Sequence, residues 1–309
     1  MKEFIEDVSN RKNVKRKDLL EKDILVHKIL LDLSKDDFFS KNLAFKGGTC
    51  LIKCYLGYYR FSEDIDFTWI DQSIFKDQSG KQIRKIISDL KDKIGALFVT
   101  ISKNRGMDFV LDKDNKKYME FGGGNKFVTF KIWHKSEILK ASSFIKIQIN
   151  FVEDITFKIS KKTVGCLLKD KNDRELEALY EEDYKEYTSD ITLYTYDVKE
   201  ILCEKARAIL TRRGIKARDF VDIYLICLSF NLNIKDFRQE ITDKIRFMIE
   251  IYEKYQENIA KKIKLLPSEG FFQWGTEKEL LLKEINEKQF NISVKQLQTF
   301  LKEIAKVFA

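Results

Sequence analysis

The chain has 309 residues, room for one large domain or two ordinary ones. Hydrophobic residues at 44%, with 24 Phe and 12 Tyr, supply a packed core and exclude wholesale disorder, while 13 Gly and one Pro exclude collagen-like and low-complexity chains. The net charge of +8 is mild but unevenly placed. Between Lys199 and Asp219, seven basic residues (Lys199, Lys205, Arg207, Arg212, Arg213, Lys216, Arg218) stand against three acids (Glu200, Glu204, Asp219), a surplus of four. Such clustering attracts polyphosphates, and a solvated helix face is its ordinary alternative.

No stretch approaches the ~18 apolar residues of a membrane-spanning helix, so no membrane association is expected. The charged opening Met1–Asp7 lacks the apolar run of a secretory signal. The five cysteines (Cys50, Cys54, Cys166, Cys203, Cys227) form no C-x-x-C pair, and His27 and His134 are the only histidines. Neither zinc nor a disulfide framework is supported, and a reducing cytoplasm is expected.

In chain order, residues 18–34 put Leu20, Ile24, His27 and Leu31 on one stripe and predict an amphipathic helix, with His27 a packed ring. A short strand follows at Leu43-Ala44-Phe45, then Lys46-Gly47-Gly48-Thr49, then a helical run from Cys50 to Leu56. Residues 64–67 alternate as a strand, and 81–97 carry Ile83, Ile87, Leu90 and Ile94 at helical spacing. Alternation at 126–132 and 144–151 predicts two further strands, the first preceded by a Gly122-Gly123-Gly124 turn. Beyond about residue 188 helical periodicity takes over, at 198–213, 216–231, 234–262, 276–288 and 293–308, broken by Pro267-Ser268-Glu269-Gly270. The pattern predicts a mixed domain over 1–187 followed by an α-helical bundle over 188–309.

Three patches carry chemistry. In Lys46-Gly47-Gly48-Thr49, paired glycines let a phosphate approach the backbone at a helix start, where free N–H groups favour an anion; Thr49 either donates its hydroxyl or caps the helix. The Walker spacing is absent. In Asp64-Ile65-Asp66, residues two apart on a strand share a face, so both carboxylates project together while Ile65 and Phe67 enter the core. Like charges so placed need compensation, for which a hard divalent cation such as Mg²⁺ is suited. The third patch is Glu204-Lys205-Ala206-Arg207 with Arg218-Asp219-Phe220-Val221-Asp222, whose two aspartates share a helix face near Lys205. Each alone also reads as a turn, a solvated acid pair or a salt bridge.

In combination they resemble the DNA polymerase β-like nucleotidyltransferase superfamily. Phe45–Leu51, Arg60–Phe67, Glu204–Ala208 and Arg218–Tyr224, in that order, look like the AbiEii/AbiGii toxin family. The likeness spans residues 20 to 230, including Glu21-Lys22-Asp23. It implies an α+β fold, a mixed sheet flanked by helices and followed by a helical bundle. It also implies transfer of a nucleoside monophosphate from an NTP to an RNA acceptor, such as the tRNA 3′ end, by a toxin paired with an antitoxin. Carried onto this chain, Lys46, Gly47, Gly48, Thr49 and Ser62 would bind nucleotide, and Asp64 and Asp66 would hold Mg²⁺. Lys205 would meet the triphosphate. Asp219 would either orient Lys205 or help activate the attacking hydroxyl, with Asp222 bracing the helix. Arg212, Arg213, Lys216 and Arg218 would hold the nucleic-acid backbone.

One departure stands out. The third acid that polymerase β-like enzymes place on a later strand is missing from Ile145–Phe151, whose polar face carries Lys146, Gln148 and Asn150. Glu153 and Asp154 follow directly. The competing readings are a degenerate nucleotide- or RNA-binding protein of the same fold and a small-molecule nucleotidyltransferase of the antibiotic-modifying type.

Overall fold

The structure, a computed structural model, describes residues 1–168, 172–252, 254–268 and 270–308. Packing divides the chain into two units, Met1–Glu153 with Ile159–Tyr196, and Asp154–Lys158 with Asp197–Ala309.

The first unit runs α1 (Lys2–Lys12), α2 (Lys17–Lys35), α3 (Asp37–Asn42), β1 (Leu43–Lys46), α4 (Gly47–Leu51), β2 (Asp64–Trp69), α5 (Gly80–Asn104), β3 (Met119–Gly122), β4 (Phe127–Lys135), β5 (Ser142–Asn150), β6 (Ser160–Val164), α6 (Arg174–Leu179), α7 (Glu181–Thr188) and β7 (Ile191–Thr195). The strands form one mixed sheet ordered β3-β4-β5-β2-β1-β7-β6. β2 runs parallel to β5 and β1 parallel to β7, and the other neighbours are antiparallel. The expected division at 187/188 falls before β7, which pairs Thr195 with Phe45 and belongs to this sheet.

The predicted helix at 18–34 is α2, but burial surrounds it where one apolar stripe was expected. Glu21, Asp23, His27 and Lys28 are all buried with it. Buried charges need partners, and each has one. Asp23 takes Lys53 at 2.8 Å and the hydroxyls of Tyr58 at 2.9 Å and Tyr187 at 2.6 Å. Glu21 accepts from Ser136 Oγ and the Glu137 N–H, and Lys28 pairs with Asp183 and Glu186. His27 packs edge-on against Tyr187. The helix expected at 81–97 is α5, opened by a capping box between Ser79 and Gln82 and extended to Asn104. The Gly123-Gly124-Asn125 turn closes the β3–β4 hairpin with φ of 58°, 59° and 72°, backbone that favours glycine and asparagine.

The second unit holds α8 (Val198–Thr211), α9 (Ala217–Ser229), α10 (Arg238–Ile251), α11 (Lys254–Leu265) and α12 (Glu287–Ala305). Two helical expectations need correction. The run at 234–262 is a short 3-10 turn, Ile234–Phe237, followed by separate helices α10 and α11. The run at 276–288 is only a 3-10 turn, Gly275–Leu280, and α12 begins at Glu287 with Asn286 capping it. Of the breaker cluster, Glu269 lies outside the described residues. The segment 154–158 joins this unit because fully buried Glu200 accepts the N–H groups of Thr156 at 3.0 Å and Phe157 at 2.7 Å. Lys244 completes the tie to the same carboxylate.

Candidate active site

β1 delivers the chain directly into α4, and the two glycines at that junction are there for lack of space. Gly47 sits at φ +76°, and a Cβ on it would lie 2.2 Å from Oδ2 of Asp66. A Cβ on Gly48 would lie 2.6 Å from Nη2 of Arg60 and 3.2 Å from Oγ of Ser62. The helix start is therefore walled by one carboxylate and one guanidinium. α4 continues through a π-helical turn, Ile52–Leu56.

On β2 the burial pattern alternates as expected. Ile65 and Phe67 are fully buried while Asp64 and Asp66 are half-buried on the other face. The register places Lys46 and Gln148 on either side of Asp66, and Lys146 beside Asp64. The Lys146 ammonium lies 3.8 Å from Oδ2 of Asp64, so a monovalent cation is already drawn to these acids. Two hard oxygen-donor side chains from one strand face, each partly open, suit a Mg²⁺ ion that keeps further positions for water and phosphate oxygens. Among the described residues, no three acids, histidines or cysteines converge as a complete metal site.

The remaining predicted residues of this patch have definite partners. Thr49 is buried and its hydroxyl reaches Ser62 Oγ at 2.9 Å and the Asp64 carbonyl, tying the helix start to β2. Lys46 is buried too; its ammonium pairs with Glu153 Oε2 at 3.1 Å and lies 5.2 Å from the centre of the Tyr196 ring. Glu153 also accepts from Asn150 Nδ2 at 2.7 Å. Burial pushes the Cys50 thiol well above its usual range, with neighbouring Cys54 and Asp66 adding to the effect, so it stays an unreactive thiol. All five cysteines are free.

In the helical unit, Lys205 Nζ bridges Asp219 Oδ1 at 2.8 Å and Asp222 Oδ2 at 2.7 Å, and Arg212 Nη1 takes Asp219 Oδ2 at 3.0 Å. Burial alone would raise the Asp219 pKa, but Lys205 and Arg212 outweigh it and hold it below the usual carboxylate range. Arg218 is engaged by Glu277 through its Nε at 3.5 Å and its backbone N–H at 3.0 Å. Arg213 is exposed and Lys216 half-buried on the connecting loop.

The structure thus gathers Lys46, Gly47, Gly48, Thr49, Ser62, Asp64 and Asp66 within the first unit, and Lys205, Arg212 and Asp219 within the second. Sequence reasoning gave no role to Arg60, although it is 1% exposed and donates to the Phe61 carbonyl at 2.8 Å. Spacing carried no sign that its guanidinium turns inward against Gly48.

The family model described as "Nucleotidyl transferase AbiEii toxin, Type IV TA system" matches residues 28–299. The chain belongs to this family. It is thus a nucleotidyltransferase of the toxin class, with an NTP as its substrate and an antitoxin as the counterpart that membership implies. No curated protein matches it in sequence. Among solved structures it is similar to JHP933 from Helicobacter pylori, at 12% identity and a TM-score of 0.43, with 94% of each chain covered. A second H. pylori protein, provisionally named a nucleotidyltransferase, aligns at 12% identity and a TM-score of 0.42 over 96% of this chain and 99% of that one. Among the described residues, no helix is long and apolar enough to cross a membrane.

Proposed function

We propose that this AbiEii-family chain is a cytoplasmic, Mg²⁺-dependent toxin that transfers a nucleoside monophosphate from an NTP to an RNA hydroxyl, the tRNA 3′ end being the acceptor. The observation that carries the reading is the packing of the Asp66 carboxylate against Gly47. It sets a metal-type acid beside the first free N–H groups of a helix, where phosphates bind.

In the reaction the acceptor oxygen bonds to the α-phosphorus, the bond from the α-phosphorus to the β-phosphate oxygen breaks, pyrophosphate leaves, and the hydroxyl proton passes to water. Asp64 and Asp66 would hold the metal. When bound, Mg²⁺ polarises the α-phosphate and offsets charge as pyrophosphate departs. Gly47 and Gly48 open the backbone to the phosphates, while Thr49 and Ser62 fix that loop against β2. Lys46 acts beneath the loop, its charge matched by Glu153. Lys205 serves the triphosphate as a fixed cation. Both carboxylate oxygens of Asp219 are occupied, by Lys205 and Arg212, which favours its orienting Lys205 over accepting the hydroxyl proton. Arg212, Arg213, Lys216 and Arg218 supply positive charge for the RNA backbone.

Incubation with Mg²⁺, each α-labelled NTP in turn and total tRNA should label the RNA, and EDTA or Asp64→Ala should abolish the labelling. Retained labelling in the Asp64→Ala protein would show the metal assignment to be wrong. Label on an aminoglycoside in place of RNA would replace the acceptor. NTP binding without transfer to any acceptor would leave a binding protein of the same fold.

A further inference from the structure

Within the second unit, a recess of about 470 Å³ opens between the loop after α8 and the segment that follows α11. Its walls include Ile215, Ala217, Phe271, Trp274, Gly275 and Glu277. The indole of Trp274 is half-exposed, while its ring is fixed from within by Phe290 and Phe272, with centroids 5.2 and 5.3 Å away. Phe272 and Phe271 in turn pack on Phe220 at 5.3 and 6.0 Å. The recess thus has a rigid aromatic wall anchored in the core of the bundle.

The charge around it is positive. The loop forming one wall carries Arg213 and Lys216, and Lys278 Nζ, paired with Glu287 at 3.1 Å, stands 5.7 Å from the Trp274 ring centre. Lys262, buried beneath, donates to the Gly214 carbonyl at 3.1 Å and faces the Phe271 ring. Among the described residues of the wall the acid is Glu277, and it is matched by Arg218. A rigid aromatic surface flanked by cations is how proteins hold unpaired nucleobases, the ring stacking on the base and the cations meeting the adjoining phosphates.

We propose that this recess binds an unpaired nucleobase of the acceptor RNA, stacked on Trp274, with Arg213 and Lys216 at its flanking phosphates. The inference rests on the reading of the acceptor as RNA. Glu277 and the backbone of Gly275 offer polar groups at the edge of the base, and the small residues Ala217 and Gly275 leave it room.

The test uses the full chain, a fluorescently labelled single-stranded RNA, the same RNA with one abasic position moved along it, and NTP binding measured separately. Trp274→Ala should weaken RNA binding about tenfold, and Trp274→Phe should keep most of it. NTP affinity should not change in either variant. At one position the abasic substitution should cost the wild-type protein a similar factor and cost Trp274→Ala nothing more. RNA bound equally well by wild type and Trp274→Ala overturns the recess. Loss of NTP affinity in step with RNA affinity also overturns it, and would assign the stacked base to the nucleotide substrate. Trp274→Phe with the abasic series decides the matter if Trp274→Ala fails to fold. Wild-type protein that binds NTP but no RNA removes the acceptor reading itself.

Discussion

Two pairs of aspartates invite comparison. Asp64 and Asp66 stand two apart on β2, and Asp219 and Asp222 stand three apart on α9; in the sequence both read as acids sharing a face. The structure treats them oppositely. Asp219 and Asp222 are almost fully buried, and Lys205 and Arg212 answer them within 3.0 Å. Asp64 and Asp66 are half-exposed, and Lys146 approaches Asp64 only to 3.8 Å. A buried pair must be neutralised by the fold itself because desolvation is costly. A half-exposed pair stays open to solvent, and that access is what a divalent ion and its phosphates can use.

The largest effects should fall on activity at β2 and on stability at α9. Asp66→Ala removes an acid from the metal-holding pair and should lower transfer about a thousandfold, the equivalent of several kcal/mol. Its melting temperature should change far less than its activity, because the side chain is half-exposed. A melt lowered as much as the activity would show that Asp66 is a structural acid and erase the distinction.

Asp222→Ala should do the reverse in kind. It leaves two cations facing one carboxylate in a buried place, and unfolding free energy should fall by about 3 kcal/mol in denaturant titrations. Lys205→Met in the same chain restores the charge balance between Arg212 and Asp219 and should recover part of that loss. If Asp222→Ala is as stable as the wild type, the cluster is not the internally compensated unit described here.

Gly47→Ala probes the contact that joins the glycine loop to Asp66. The added methyl would meet the carboxylate at 2.2 Å on a backbone with φ +76°. Displacing a positioned acid of this kind should cost about a hundredfold in transfer, less than deleting it. Gly57→Ala is the control, since φ is +71° there and no atom lies within 4 Å of the added carbon. Equal losses in the two variants would point to backbone strain and not to the acid.

Much of this was legible in the sequence because it is local. The Gly-Gly-Thr turn, the alternation of Asp64 to Phe67 and the stripes of α5 and α8 each follow from residues within two turns or one strand. What was not legible depends on distant partners. The pairing of Lys46 with Glu153, remote in sequence, leaves no mark on the tetrapeptide that holds Lys46. β6, Ser160-Lys161-Lys162-Thr163-Val164, carries the polarity of an edge strand and is apolar only at its end, so it lacks the alternation that marks β4 and β5. β7 is short, and its place beside β1 comes from the parallel return of the chain. The segment 276–288 has helical spacing, but its apolar residues stay partly exposed and only a 3-10 turn forms. Periodicity without a surface to pack on did not make a helix.

Lys262 is the smallest test and the sharpest contrast with α9, for among the described residues this buried charge meets the Gly214 carbonyl and the Phe271 ring. Burial holds its pKa down, from the ordinary 10.5 to about 8. The folded protein therefore releases this proton at lower pH than the unfolded chain does. Between those two values the unfolded chain binds the extra proton, so this group makes stability rise with pH, and below the lower value its full penalty applies. Lys262→Met removes the penalty and keeps the side-chain volume, and should stabilise the protein at neutral pH by about 1–2 kcal/mol. The advantage should shrink as pH rises above 8 and vanish near 10.5. Comparing the two proteins in denaturant at each pH cancels the groups they share. A variant less stable than the wild type at neutral pH would mean that the bond to Gly214 outweighs desolvation, and that this region too compensates its buried charge.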